Sequence, residues 1–348
     1  MTPINQNGEL PARHQALLMA AVQEFITTAE PVGSQQLAAR HRLGVRAAMV
    51  RNLMSDLEEA GFLTQPHTSA GRIPTDRAFR YYVDRVTPKS PIDFYDRAQI
   101  ELHYSAPPAD FNEMVRDTSR LLALMTGQAA LVMAPRLESV VLETVQFLRL
   151  REFEVMAVFV PMTGVVQSRL IQTSRDHTQE ELGRMAGYLN DFLHGCTLEN
   201  ARGMIEERLH DDRAAYDAFI RTALTLGDAV TRSSSTAELY VDGGSKAVEQ
   251  PEFADPERLR ELLRALEDKT ALLNLLERSL THHGPMVSIG SENFDARLSA
   301  FAVVAASYAS GLTPLGSLAI VGPVRMDYGR VIPLVSYTAR ALSRVLDH

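Results

Sequence analysis

From about Ala12 to Thr28, the apolar residues Leu17, Leu18, Ala21, Val22, Phe25 and Ile26 recur at the spacing of one helical face. Glu30-Pro31-Val32-Gly33 interrupts that pattern. Ser34 then stands where it would cap a short second helix over about Gln35–His41, with Leu37 inward. Leu43-Gly44-Val45 reads as a turn, and a third helix over about Arg46–Ala60 is closed by Gly61 as a left-handed residue. Phe62-Leu63-Thr64 and Arg72-Ile73-Pro74 flank a polar tip, which predicts a β-hairpin. Thr75 is placed to cap a fourth helix, in which Phe79, Tyr82, Val83 and Val86 form one stripe. Thr87-Pro88-Lys89-Ser90-Pro91 predicts a stiff linker.

Helix, short helix, glycine-containing turn, helix and hairpin is the pattern of a winged helix-turn-helix, so residues 1–88 are expected to form a DNA-binding domain. Beyond it the pattern changes. An amphipathic helix is expected over about Asp110–Thr126, then strands at Ala129–Met133, Val140–Leu150, Phe153–Pro161 and Val165–Thr173, then a helix over about Thr178–Leu193. Residues from about Gly195 to Glu277 are mostly helical in pattern and strongly charged, with one strand candidate at Ala237–Val241. Strand-like runs resume at Met286–Ile289, Phe301–Tyr308 and Leu315–Val321, and a last helix covers about Tyr328–Leu346. This order predicts a multidomain α+β chain. Its α+β domain comprises residues 100–194 and 278–348 and is interrupted by a helical insertion over 195–277. Leu259, Leu262, Leu263 and Leu266 recur at helical spacing in that insertion and are candidates for a dimer interface.

Charge sharpens the functional reading. The net charge of −8 argues against nucleic acid until its distribution is considered. Residues 1–86 hold nine Arg and eight acids, a net of +1, which leaves −9 for the remainder. Between Glu30 and Asp56 lie four Arg and no acid. Salt confines fields to about 10 Å, so that local surplus outweighs the total. On a helical wheel, Val50, Leu53, Met54 and Leu57 gather on one side of the third helix. Ala48, Asn52 and Ser55 lie opposite, flanked by Met49, Asp56 and Arg51. Asn pairs bidentately with adenine, Arg with guanine, and an alanine methyl meets thymine, so Arg46, Ala48, Met49, Arg51, Asn52 and Ser55 are the candidate base readers. Ser34, Gln35 and Gln36 suit phosphate, and His67, Thr68, Ser69 and Arg72 on the hairpin suit backbone or minor groove.

The string from Gln65 to Thr75 (QPHTSAGRIPT), followed by Arg80-Tyr81-Tyr82-Val83-Asp84, resembles the signature of the HrcA family of heat-inducible transcription repressors. The resemblance extends through Glu30-Pro31-Val32-Gly33-Ser34, Leu43-Gly44-Val45, Arg51-Asn52 with Met54, Leu57-Glu58-Glu59 and Gly61. It continues at Pro251-Glu252-Phe253, Leu259-Arg260, Leu266-Glu267, Ile289-Gly290-Ser291-Glu292-Asn293 and Gly322-Pro323-Val324-Arg325-Met326-Asp327-Tyr328. The resemblance implies a winged-helix domain, a GAF-like domain and a dimerising domain inserted into it. It implies a homodimer on double-stranded DNA at an inverted-repeat operator, the CIRCE element, upstream of chaperone operons. It also implies that the GroEL chaperonin keeps the repressor active until heat-generated clients compete for it. The chain departs from the family at Arg46, Ala47, Met49 and Leu53, where Ser, Ser, Thr and Glu are usual, which bears on base preference.

Other classes find little support in the sequence. No apolar run reaches the ~18–20 residues of a membrane helix, the start lacks a secretory pattern, and the single Cys196 suits a reducing, cytoplasmic setting. His282-His283 and His210-Asp211-Asp212 lack metal-ligand or triad spacing, so no cofactor and no catalysis are expected. Arg325-Met326-Asp327-Tyr328 reads as a structural ion pair and helix cap. The rival reading is a repressor that senses a small molecule in the GAF-like domain.

Overall fold

The computed structural model describes residues 10–41, 44–67, 70–86, 91–105, 111–134, 141–161, 166–210, 218–231, 238–244, 250–282, 284–293, 295–311 and 313–347. Helices α1 (Ala12–Thr28), α2 (Ser34–Arg40) and α3 (Ala47–Glu59) come first. The hairpin of β1 (Leu63–Thr64) and β2 (Ile73–Pro74) and helix α4 (Asp76–Val86) follow. The stripes expected to be apolar are buried: Leu17, Leu18 and Val22 of α1, Leu37 of α2, Val50, Met54 and Leu57 of α3, and Phe79 and Val83 of α4. After α3 the chain reverses at Gly61, whose φ of 76° is open to glycine at little steric cost. One expected cap differs. Gly33, not Ser34, is the cap position of α2, and Ser34 is its first helical residue. The Thr75 hydroxyl donates to the carbonyls of Gly61 and Phe62, tying the hairpin shut.

One helix was not legible in the sequence. α5 (Phe94–His103) is capped by Asp93, which accepts from Tyr95 N and Asp96 N. Its inner face carries Ile100 together with a buried Asp96, which accepts from Arg330 Nε at 2.8 Å and Nη2 at 2.9 Å. A charged residue on the inward stripe erases the apolar periodicity by which helices are recognised.

The body is built on two sheets. β3 (Ala129–Met133), β7 (Leu239–Asp242), β8 (Met286–Ile289), β9 (Phe301–Ser310) and β10 (Thr313–Pro323) form an antiparallel sheet in the order β7-β3-β10-β9-β8. Both faces are buried, which is why β9 reads as an almost unbroken apolar run rather than an alternation. On one face Val304, Ala306, Tyr308, Leu318 and Ile320 share a core with the helix Tyr328–Leu346 and with the N-terminal unit. On the other, Val303, Ala305, Ala319 and Val321 meet Phe253, Leu262, Leu272 and Leu276.

The second sheet has β4 (Leu142–Arg151), β5 (Glu154–Pro161) and β6 (Gln167–Gln172) in sequential antiparallel order. After α6 (Phe111–Thr126), which precedes β3, helices α7 (Gln179–Leu193), α8 (Leu198–His210) and α9 (Ala218–Thr231) share a separate core with this second sheet. α7 starts at a capping box between Thr178 and Glu181.

Packing therefore draws the insertion elsewhere than the expected 195–277. The excursion between β3 and β7, adjacent strands of one sheet, carries residues 142–231 with their own core. Residues 239–280 belong to the five-stranded sheet, where Val241 pairs with Leu131, and helices Pro256–Glu267 and Lys269–Leu280 cover one face. The change in composition near residue 195 reports helix faces turned to water, which says nothing about connectivity. The leucine stripe is corrected for the same reason. Leu262 is fully buried and Leu259 and Leu266 pack on the core, so only Leu263 is exposed, at 42%. Those side chains cover the chain's own sheet rather than a partner. Among the described residues, no helix is long and apolar enough to cross a membrane.

Candidate nucleic-acid interface

α3 buries Val50, Leu53, Met54 and Leu57 and turns Arg46, Ala48, Met49, Arg51 and Asn52 outward, all exposed, with Ser55 half-buried beside them. Among the described residues, Arg46, Arg51 and Asn52 have no ion pair or side-chain hydrogen bond within the chain. Two of the three acids of the same helix do, Glu59 at its end being exposed. Asp56 Oδ2 lies 3.0 Å from His14 Nε2 on α1, and Glu58 Oε2 accepts from Arg72 Nε at 2.7 Å. The exposed face near the start of α3 thus carries free donors and cations, while Asp56 and Glu58 further along are engaged sideways.

The helix starts add to this. α1, α2 and α3 begin without a side-chain cap and without an acid in the first turn. Among the described residues, no side chain caps their first N–H groups, which with the positive end of each helix dipole suit an anion. At the start of α2, Ser34 is half-buried and Gln35 exposed. Gln36 departs from its expected phosphate role, because its Nε2 donates to Glu24 Oε1 at 2.6 Å.

Glu24 itself was missed by sequence reading. It is a buried carboxylate on α1 that also accepts from Arg40 Nη1 at 2.6 Å and lies 3.1 Å from His41 Nε2. Burial pushes its pKa up, but hydrogen bonds from His41, Gln36 and Arg40 outweigh that and hold it below the ordinary value of 4.5. One charge thereby fastens the polar face of α2 to α1. The available signal was an acid at i+7 from Leu17 and i+3 from Ala21, inside an apolar stripe.

On the hairpin, His67 is exposed, and Thr68 and Ser69 lie outside the described residues. Arg72 is corrected. Its side chain is only 15% exposed, paired with Glu58, and its backbone exchanges two hydrogen bonds with Val32. It braces the hairpin against α3 and the α1–α2 turn rather than standing free as a cation. Arg77 does related work, donating to Ala60 O at 2.7 Å with its guanidinium 4.4 Å above the Phe62 ring.

A helix face with unpaired Arg and Asn and no acid in its first turn, beside uncapped helix starts, suits a polyanion. Residues 112–332 match the family model described as the HrcA protein C terminal domain. The chain is 38% identical to the heat-inducible transcription repressor HrcA of Geobacter sulfurreducens, over 97% of this chain and 99% of that one. It is 37% identical to the protein of the same name from Syntrophobacter fumaroxidans, over 98% of each. The chain belongs to the HrcA family of heat-inducible transcription repressors. A crystal structure described only as that of a hypothetical protein superposes with a TM-score of 0.67 at 26% identity, covering 97% of this chain and 99% of that one.

Family membership gives the other motifs a reading. Arg325 donates to both carboxylate oxygens of Glu252, to Gln250 Oε1 at 3.3 Å and to Ile26 O at 3.1 Å. It is a structural ion pair, although its partner lies in the Pro251–Ala254 turn rather than next to it in sequence. After α10 (Pro256–Glu267) and α11 (Lys269–Leu280) comes the last helix, α12 (Tyr328–Leu346), where Asp327 occupies the cap position but makes no side-chain cap bond. His282 Nδ1 lies 3.1 Å from Arg278 O, and no group of three or more His, Cys, Asp or Glu gathers among the described residues.

Proposed function

We propose that this repressor acts in the cytoplasm as a homodimer on an inverted-repeat, CIRCE-type operator in double-stranded DNA. α1–α4 and the hairpin form a winged helix-turn-helix, and the body beyond the inserted unit is GAF-like. α3 enters the major groove. Arg46, Arg51 and Asn52 meet base edges, Ala48 and Met49 supply apolar contact, and the open start of α2 with Ser34 and Gln35 meets phosphate. The observation that carries this reading is the exposed face of α3, with two unpaired Arg and an unpaired Asn among the described residues and no acid in its first turn. Binding-site selection from random duplexes tests it. Recovery of an inverted repeat with salt-dependent affinity is expected, and recovery of no common sequence would overturn it.

The dimer contact is assigned to the open face of the three-stranded sheet. There Leu148 pairs with Met156 and Met156 with Leu170 across the strands, and Leu148 and Leu170 are 42% and 52% exposed. A row of apolar side chains on the uncovered face of a sheet asks for a partner surface. Sedimentation should find a dimer that Leu148→Asp with Leu170→Asp converts to monomer. An unchanged dimer would place the contact elsewhere.

The GroEL chaperonin is the proposed partner that maintains activity. The buried, almost wholly apolar β9 makes the unfolded chain prone to aggregate. Chaperonin with nucleotide should raise the fraction of active sites at constant dissociation constant, and a tightened constant would instead indicate an allosteric co-repressor. The alternative, a small-molecule sensor, has one observation in its favour. A cleft of about 560 Å³ between the N-terminal unit and the body is lined by Phe25, Phe79, Phe253, Phe301, Arg258 and Arg325. Thermal melting against a metabolite panel distinguishes it.

A further inference from the structure

Two strings far apart in the sequence meet in the fold. Asp76 and Ser291 are 215 positions apart, yet Asp76 Oδ2 accepts from Ser291 N at 2.9 Å and from Ser291 Oγ at 3.0 Å. Arg80, one turn further along α4, donates from Nε to Glu292 Oε1 at 2.8 Å and from Nη2 to Val287 O at 2.7 Å. The second bond covers the outer edge of β8, the last strand of the five-stranded sheet. The turn that receives α4 is itself fixed. Glu292 accepts from Ile289 N at 3.0 Å, and Asn293 Nδ2 donates to the carbonyls of Gly290, Leu298 and Phe301 at 3.1, 2.7 and 2.8 Å.

Gly290 lets the two parts close. Its φ is 55°, which L side chains rarely adopt, and a Cβ there would overlap the Asp76 carboxylate. Behind these polar contacts the two parts share one core. The Phe79 ring lies 6.2 Å from Tyr328 of the body and 6.3 Å from Phe25 of α1. Arg325 reaches Ile26 O at the end of α1. The N-terminal unit is therefore attached at three separated points, which fixes its orientation as well as its position.

We propose that the Gly290–Asn293 turn is the seat that positions the DNA-reading unit on the body, and thereby sets the half-site spacing the repressor accepts. Asp76, Arg80, Gly290, Ser291 and Glu292 are positioning residues, belonging to α4 and the body rather than to α3. In a dimer, each seat transmits the two-fold axis of the bodies to the two recognition helices. Rigid seating admits one spacing, whereas a loose unit finds many spacings at a lower effective concentration.

This inference rests on the operator and dimer reading above, and its test separates the two. Dissociation constants are measured for the selected operator and for duplexes whose half-sites are moved apart by half a helical turn, about five base pairs. The wild-type chain should discriminate strongly between them. Gly290→Ala and Arg80→Gln should reduce that ratio by about tenfold or more, mainly by weakening binding at the native spacing. A merely structural role would weaken both duplexes equally, and an unchanged ratio in folded variants overturns the proposal. If Gly290→Ala does not fold, Arg80→Gln combined with Glu292→Gln carries the same test, since both side chains sit at the rim, 31% and 34% exposed.

Failure of the DNA reading looks different: the wild-type chain would bind no duplex in a salt-dependent way. The seat is then judged by amide exchange. Faster exchange in α4 of the variants, with β3 and β10 still protected, supports it. Unchanged exchange in α4, or loss of protection throughout, overturns it.

Discussion

The first three helices of the chain and four helices of its body start in opposite ways. α1, α2 and α3 open without a side-chain cap or a first-turn acid. In the body, α5, α7, α10 and α11 open on Asp93, Thr178, Asp255 and Asp268, each accepting from a backbone N–H of its own first turn. A cap satisfies a helix start internally and stabilises it by about 1 kcal/mol. Leaving the start open forgoes that stability and keeps N–H donors for an external anion. The difference is informative only together with exposure: α12 also opens uncapped, but its first turn holds the buried Tyr328 and an Arg330 paired with Asp96, whereas the first turns of α2 and α3 face outward.

The sharpest way to break this contrast is to give α2 a body-type start. Gly33→Asp, at the cap position of α2, should raise or preserve thermal stability and yet weaken operator binding by about 1–3 kcal/mol, because a carboxylate would then occupy the place proposed for phosphate. Melting and binding measured on the same protein check it, and a parallel change in both would end the comparison. Asn52→Ala and Arg51→Ala should each lose about 1–3 kcal/mol on the selected operator and much less on unrelated duplex. Equal losses would move both residues to phosphate contact. The converse belongs to the body: Thr178→Ala should cost about 1 kcal/mol of stability with operator affinity unchanged while the protein stays folded.

Arg72→Ala refines the picture at the hairpin. Its engagement with Glu58 predicts a small loss of stability, within about 1 kcal/mol, and an unaltered dependence of DNA affinity on salt. A salt slope reduced by about one unit would return Arg72 to the phosphate contacts. The smallest effect is a pH signature at Glu24. Its pKa is depressed in the folded chain, so its contribution is present above the ordinary value of 4.5 and is lost as pH falls through the folded value. Glu24→Gln should flatten that acid limb of the stability profile, and an unchanged limb would show that α2 is held by packing alone.

The sequence by itself determined the local elements wherever one face is apolar and the other polar. α1 was bounded to the residue and the inner side of α3 followed from a wheel, while β3, buried on both faces, was legible as an unbroken apolar run. The family resemblance was legible for a related reason, since its motifs are turns and contacts that few residues can replace. Only the tertiary structure decided what those faces pack against. Leu262 covers the chain's own sheet, Arg72 reaches Glu58, and Asp96 hides α5 by pairing with Arg330 across 234 positions. It also decided where the insertion lies, because the adjacency of β3 and β7 is a fact of strand pairing, and pairing depends on register between segments that periodicity treats separately. A periodic pattern records that a residue leaves water. The partner it meets is chosen by the whole chain.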